Sequence, residues 1–292
     1  MSETLFADGQ IVAFTVLLAI SVLVPIIMFV WYYMKKKAKL ASYFIGFVST
    51  VLMVAGKYLL DTFFVSMLGL GEYLDPKIHP VYTALYAAVT TGLLMIISTY
   101  VIMKFAMDGR EGKENALLLL IGKAGLYLVM YGAVTEMTYM SVANTVNDMG
   151  LDKYISQLSD PAIRDSQRVA VQALASRPVT EIVTEGALQV LLFVLHIALG
   201  ILVYMRMHKS KDVLSDEKLE HIKKEGRDIA WYEKRREGML SLAIIVQILS
   251  LIPFCLLQVN IGIDLAILYL LADIILTLAA GFGSYAMYKQ LK

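Results

Sequence analysis

Long uninterrupted apolar runs dominate the 292-residue chain, and polar positions collect in the segments between them. The spacing is neither the two-residue alternation of a half-buried strand nor the three-to-four spacing of an amphipathic soluble helix. A bilayer core takes about 20 consecutive apolar residues per crossing helix. Seven stretches reach that length: 10–34, 41–68, 82–105, 116–140, 182–205, 239–258 and 262–287. The pattern predicts an all-α polytopic membrane protein, one transmembrane domain built as a bundle of about seven helices.

Two connections are long enough to carry structure of their own. In 144–181, Asp160 and Pro161 form a helix start, and Ile163, Val171 and Leu174 share an apolar face, which predicts an amphipathic helix lying at the membrane interface. In 206–238, Ser215, Asp216 and Glu217 open a second helix with a thin stripe of Leu219, Ile222 and Ile229. Its mixed charges predict a solvated or membrane-surface helix. Trp231 and Tyr232, followed closely by "KRR", fit a headgroup-level anchor.

Composition agrees with a membrane location: 58% of residues are hydrophobic and 17% charged, against about 45–50% and 25% in an average protein. The net charge of +1 comes from basic residues spread along the chain, which argues against a nucleic-acid partner. A single cysteine, Cys255, excludes an intrachain disulfide and a CxxC metal site. The first apolar run follows Glu3 and Asp8 and is too long for a signal-peptide core, so it reads as a retained helix. Lysine and arginine then set the orientation. The connections after the first, third and fifth stretches, with the tail, hold nineteen of them, and the alternate connections hold five. That asymmetry predicts an outside N-terminus, a cytoplasmic C-terminus and a multi-pass protein of the cell membrane.

Ionisable residues within a span are expensive and mark function by default. Lys57, Lys123, His196 and Asp273 are central, and Asp61, Glu136, Glu181, Glu185 and Asp264 lie nearer the outer boundary. Lys57 and Asp61, four apart, can pair along one helix. Glu181 and Glu185 read as a solvated helix start, with a carboxylate metal pair as the alternative. His196 is eleven residues beyond Glu185, about 16 Å at helical rise, too far for the two to share an ion. A lone histidine in a bundle reads first as a hydrogen-bonding group between helices, and Lys123 and Asp273 can neutralise each other if their helices touch. Thr90, Thr91, Ser98 and Thr99, like Ala279, Ala280, Gly281 and Gly283, fit close helix packing. His79, His208 and His221 all fall in loops, and HExxH, GxSxG, P-loop and GxGxxG motifs are missing.

Four segments carry a resemblance: "ALYAAVTTGLLMIISTYVIMKF" (84–105), "LLIGKAGLYLVMYGA" (119–133), "LLFVLHIALGILVY" (191–204) and "IIVQILSLIPF" (244–254). In order and spacing the chain resembles a bacterial membrane family, the YhfC-like intramembrane metalloproteases, related to the CAAX-processing and bacteriocin-processing group. The family pattern implies a Glu-Glu-x-x-Arg helix, a following G-H-G-G helix, an H-I-A-L-S helix and an H-A-L-x-D helix near a proline. Its Glu and His side chains are taken to hold a metal and activate water. In this chain those positions carry other residues. The glutamates fall on Met95 and Ile96, the arginine on Thr99, the second helix's histidine on Lys123, and the last His and Asp on Gln247 and Leu251. His196 alone remains.

The resemblance therefore implies the family's frame without its chemistry, and an expectation of no catalytic residue and no cofactor. Such a chain acts by binding a peptide, a lipid or a partner membrane protein, with His196, Lys123 and Asp273 as binding residues, and whether Lys123 pairs with Asp273 stays open. Two other readings stay open. One is a zinc-dependent protease with a rearranged site built from His196 and Glu136, Glu181, Glu185 or Asp273. The other is a transporter with a polar path through Lys57, Lys123 and Asp273.

Overall fold

The structure, a computed structural model, describes residues 4–107, 112–158, 160–207, 214–225, 236–259, 261 and 263–291. Among them seven helices are long and apolar enough to cross a membrane. They are α1 (Asp8–Lys35), α2 (Leu40–Met67), α3 (Pro80–Ala106), α4 (Lys113–Met149), α7 (Val179–Met207), α9 (Met239–Gln258) and α10 (Ala266–Lys289). Shorter helices fill the two long connections: α5 (Leu151–Ser156), α6 (Pro161–Ser176) and α8 (Asp216–Lys224). The chain is a multi-pass membrane protein.

Burial is inverted relative to a soluble bundle, as the bilayer allows. On α10 the exposed side chains are apolar, Ile267, Leu271, Ile275 and Phe282 among them, whereas Asp273, Thr277 and Ser284 are buried. Every polar group turned inward must find its partner in protein, because lipid supplies none. The Ser284 hydroxyl does so by donating to the Ala198 carbonyl of α7 at 2.7 Å.

Helix α7 is the axis of the bundle. It packs on α1, α3, α4, α9 and α10, and its central window is the most buried of the seven. Helix α4 runs past residue 140 to Met149 as one 37-residue helix interrupted by a π turn at Val129–Ala133. Contact between α2 and α4 is at backbone distance. A Cβ on Gly46 would stand 2.2 Å from the Leu119 carbonyl oxygen, and one on Gly122 would stand 2.2 Å from that of Tyr43. Small residues at facing positions are how membrane helices gain contact without a hydrophobic drive between them.

The lysine-rich connections gather at one end of the bundle. There the Lys39 amide donates to Asn115 Oδ1 at 2.7 Å, and Lys113 Nζ to the Leu291 carbonyl at 2.5 Å. Helix α8 docks under this end: Ile222 is buried and Leu219 half-buried against a core that includes Leu214 and Leu291. Its charged side chains, Glu217, Glu220 and Lys223 among them, stay exposed while Ile222 faces the bundle. Ile229, Trp231 and Tyr232, with Lys234 and Arg235 of the "KRR" run, lie outside the described residues.

At the opposite end, α6 packs Val171 and Leu174 onto a cluster with Phe6, Phe14 and Val146. Ile163, expected on the same face, is 42% exposed instead. The N-terminal segment is tied in by a reciprocal pair, the Phe6 amide to Asn147 Oδ1 at 2.9 Å and Asn147 Nδ2 to the Phe6 carbonyl at 2.8 Å.

The α2–α4 contact gives a direct test. Gly122→Ala places a methyl against backbone that cannot move without parting the helices, and should cost about 1–3 kcal/mol. Gly283→Ala, whose new Cβ meets nothing within 4 Å, should stay within about 0.5 kcal/mol of the parent. Thermal unfolding in a single detergent compares the two, and equal midpoints would refute the close-packing account.

Candidate functional site

All seven positions singled out by the family pattern are buried in the structure: Met95, Ile96, Thr99, Lys123, His196, Gln247 and Leu251. They come from α3, α4, α7 and α9, the helices packed around the middle of the bundle.

Lys123 leaves α4 beside the close α2 contact, where Thr50 Oγ1 donates to its carbonyl at 2.8 Å. Its side chain turns to α3. There Nζ donates to Ser98 Oγ and Thr99 Oγ1, each at 2.6 Å, and to the Met95 carbonyl oxygen. Three acceptors match the three protons of an ammonium, which has no lone pair to offer. The two hydroxyls are themselves oriented to accept, because each donates its own proton back along α3. Ser98 donates to the Leu94 carbonyl at 2.6 Å and Thr99 to the Met95 carbonyl at 2.8 Å. Ser98 and Thr99, which in sequence look like packing residues, are thus the seat of the buried cation.

His196 has the central place on α7 and is fully buried. Its partner is Gln247 of α9: Nδ1 and Oε1 are 3.2 Å apart. With a proton on Nδ1 the imidazole donates to the amide oxygen, leaving Nε2 an acceptor. His196 Nε2 and Gln247 Nε2 have no hydrogen-bond partner among the described residues. So the residue standing at one motif position binds the residue standing at another, and neither binds a carboxylate.

Asp273 does not join them. The pair with Lys123, left open by the sequence, is not formed: α10 packs on α7 and α9, while the Lys123 amine bonds α3. Both Asp273 carboxylate oxygens are buried without a hydrogen-bond partner among the described residues. Lys57 and Asp61 do pair, four apart on α2, and Tyr86 donates to the same Asp61 oxygen at 2.8 Å. Lys57 and Lys123 therefore have separate partners, and among the described residues neither bonds Asp273.

The two glutamates at the start of α7 correct the sequence reading. Glu181 and Glu185 are buried, not solvated. Arg177 sits just before them and forks between the two, with Nε donating to Glu181 Oε1 at 2.7 Å and Nη2 to Glu185 Oε2. Burial pulls the guanidinium's proton affinity down, but Glu185 and then Glu181 outweigh it and hold it above its ordinary value. Gln10 of α1 fixes the turn that presents Arg177, donating to the carbonyls of Ala175 at 3.0 Å and Arg177 at 2.7 Å. The signal was present in the sequence: 177, 181 and 185 are spaced for one helix face.

A catalytic zinc wants three nitrogen, sulfur or carboxylate ligands and an open water position. Among the described residues no group of three His, Cys, Asp or Glu is placed to hold a metal ion. At the seven motif positions stand one imidazole, one amide, one hydroxyl, one thioether, one lysine amine and two aliphatic chains. With one imidazole and no carboxylate among them, these residues do not fit a catalytic zinc.

A search of curated proteins and a search of solved structures each return no match. The family model described as YhfC intramembrane metalloprotease matches residues 20–215, which takes in five of the seven spans, from within α1 through α7. The match stops before α9, so Gln247 and Leu251 stand outside it. Covering about two-thirds of the 292 residues, it shows that the chain belongs to the YhfC intramembrane metalloprotease family.

Proposed function

We propose that this member of the family works by binding and not by cutting. It holds a hydrophobic peptide segment, a lipid or a partner membrane protein at the place where the family pattern puts the metal. One observation carries the reading: Lys123 Nζ fills the space beside Met95, Ser98 and Thr99 with a hydrogen-bonded cation. The same contacts occupy the stretch of α3 where the pattern asks for glutamates. A buried carboxylate without a cation is costly, and Met95 and Ile96 avoid that cost. His196 and Gln247 then form a neutral pair whose unpartnered nitrogens, one acceptor and one donor, match what a peptide group or a hydroxyl presents.

Metal content of the purified full-length protein tests the reading. The expected result is less than stoichiometric zinc, unchanged in His196→Ala. One zinc per chain that disappears in His196→Ala would overturn it in favour of a rearranged metallopeptidase site.

Substitutions at Lys123 and its acceptors should separate in sign. Lys123→Met replaces a buried cation with an apolar chain of similar volume, and Ser98 and Thr99 keep their carbonyl partners, so stability should hold or rise. Removing acceptors while the lysine stays, as in Ser98→Ala or Thr99→Ala, should cost about 1–3 kcal/mol each. The comparison is by thermal unfolding in detergent, and a Lys123→Met variant less stable than either would refute the assignment.

A further inference from the structure

Helices α1 and α10 do not close on each other along their length. Between them runs a groove of about 590 Å³, floored by α4 and α7. Its walls are apolar, with Met28 from α1, Leu117 and Ile121 from α4, and Val194, Ile197 and Ile201 from α7. The polar groups along it are already spent. Tyr32 and Tyr288 bond each other across the end of the groove at 2.9 Å, and Ser284 donates into α7.

The mouth at that end is basic. Lys36, Lys113 and Lys289 line it, together with Trp31, Tyr285 and Tyr288. Lys289 Nζ lies 4.6 Å from the Tyr285 ring centre, and Lys113 Nζ 5.4 Å from that of Tyr288. Lys35 stands over Trp31 at 4.9 Å. The acid beside this rim is Glu114, close enough to act electrostatically on Tyr32 and Tyr288. Four lysines against that one carboxylate leave the rim positive.

We propose that this groove is a binding site for one anionic phospholipid, with an acyl chain along the groove and the phosphate among Lys36, Lys113 and Lys289. From Gly281 to Lys289 the wall extends about 12 Å at helical rise, so a headgroup at the rim leaves a length of chain inside. The walls alone cannot select this lipid, because surrounding tails are as apolar as leucine. Selection comes from charge at headgroup level, where each lysine favours an anionic lipid and the Trp and Tyr rings match the interface. The site uses none of the residues that carry the proposed function above, so either can fail without the other.

The full chain, purified in detergent, is titrated with short-chain phosphatidylglycerol, with phosphatidylcholine of equal chain length, and with inorganic phosphate, and thermal unfolding reads the binding. Phosphatidylglycerol should raise the midpoint most. In Lys36→Gln/Lys289→Gln its affinity should fall roughly fivefold per lysine removed. Gly281→Leu fills the groove without a clash, since a Cβ there meets nothing within 4 Å. It should abolish phosphatidylglycerol binding while leaving the lipid-free midpoint unchanged. Equal protection by phosphatidylcholine, or by phosphate alone, would overturn the proposal. So would a phosphatidylglycerol preference that survives Gly281→Leu, since surface charge alone would then account for it.

Discussion

An ammonium in the middle of a bilayer-spanning bundle must take every hydrogen bond from protein, and the arrangement around Lys123 follows from that requirement. Three acceptors have to converge on one nitrogen from a neighbouring helix. Helix α3 supplies them within a single turn and a half, as the Met95 carbonyl, Ser98 and Thr99. This ties the Lys123 level of α4 to α3 through one side chain, while Gly46 and Gly122 bring α2 onto the same part of α4. Helix α7 packs on both α3 and α4 and places His196 across from Gln247 of α9. The centre of the bundle is therefore organised by a polar seat, with apolar packing built around it.

The end of the bundle opposite the lysine-rich connections solves a related problem differently. Three carboxylates, Glu136, Glu181 and Glu185, are buried there, and Arg177 divides its planar fork between two of them. A guanidinium suits this because its donors point in fixed, divergent directions. The two polar sites lie at different levels of α7. The acids of one are therefore not neighbours of the imidazole of the other.

Much of this was legible from residue types and spacing. Run length alone predicts seven crossing helices, because lipid imposes a length on a helix that solvent does not. The pair Lys57–Asp61 follows from four-residue spacing. The family frame is legible in "FVLHIALG" and the segments around it. Partner choice between helices was not. Whether Lys123 meets Asp273 or Ser98 depends on which helices touch, and periodicity within one helix says nothing of that. Arg177 was read as loop charge because its helix neighbours were counted from residue 182 onward. The apolar stripe of α8 looked too thin to dock, yet Ile222 is buried.

The π turn in α4 has a geometric consequence for both polar sites. An α-helix turns by about 100° per residue, and a π turn accommodates one residue beyond the regular count. Val129–Ala133 lies between Lys123 and Glu136, so it sets the phase of the C-terminal half of α4 against the N-terminal half. The N-terminal half aims Lys123 at α3, while the C-terminal half delivers Glu136 toward the Arg177 cluster. One helix thus serves two neighbourhoods that a regular helix of the same sequence would face with a different relative rotation. Gly132, within that turn, leaves room by its missing side chain for Ser21 of α1 and Gln189 of α7.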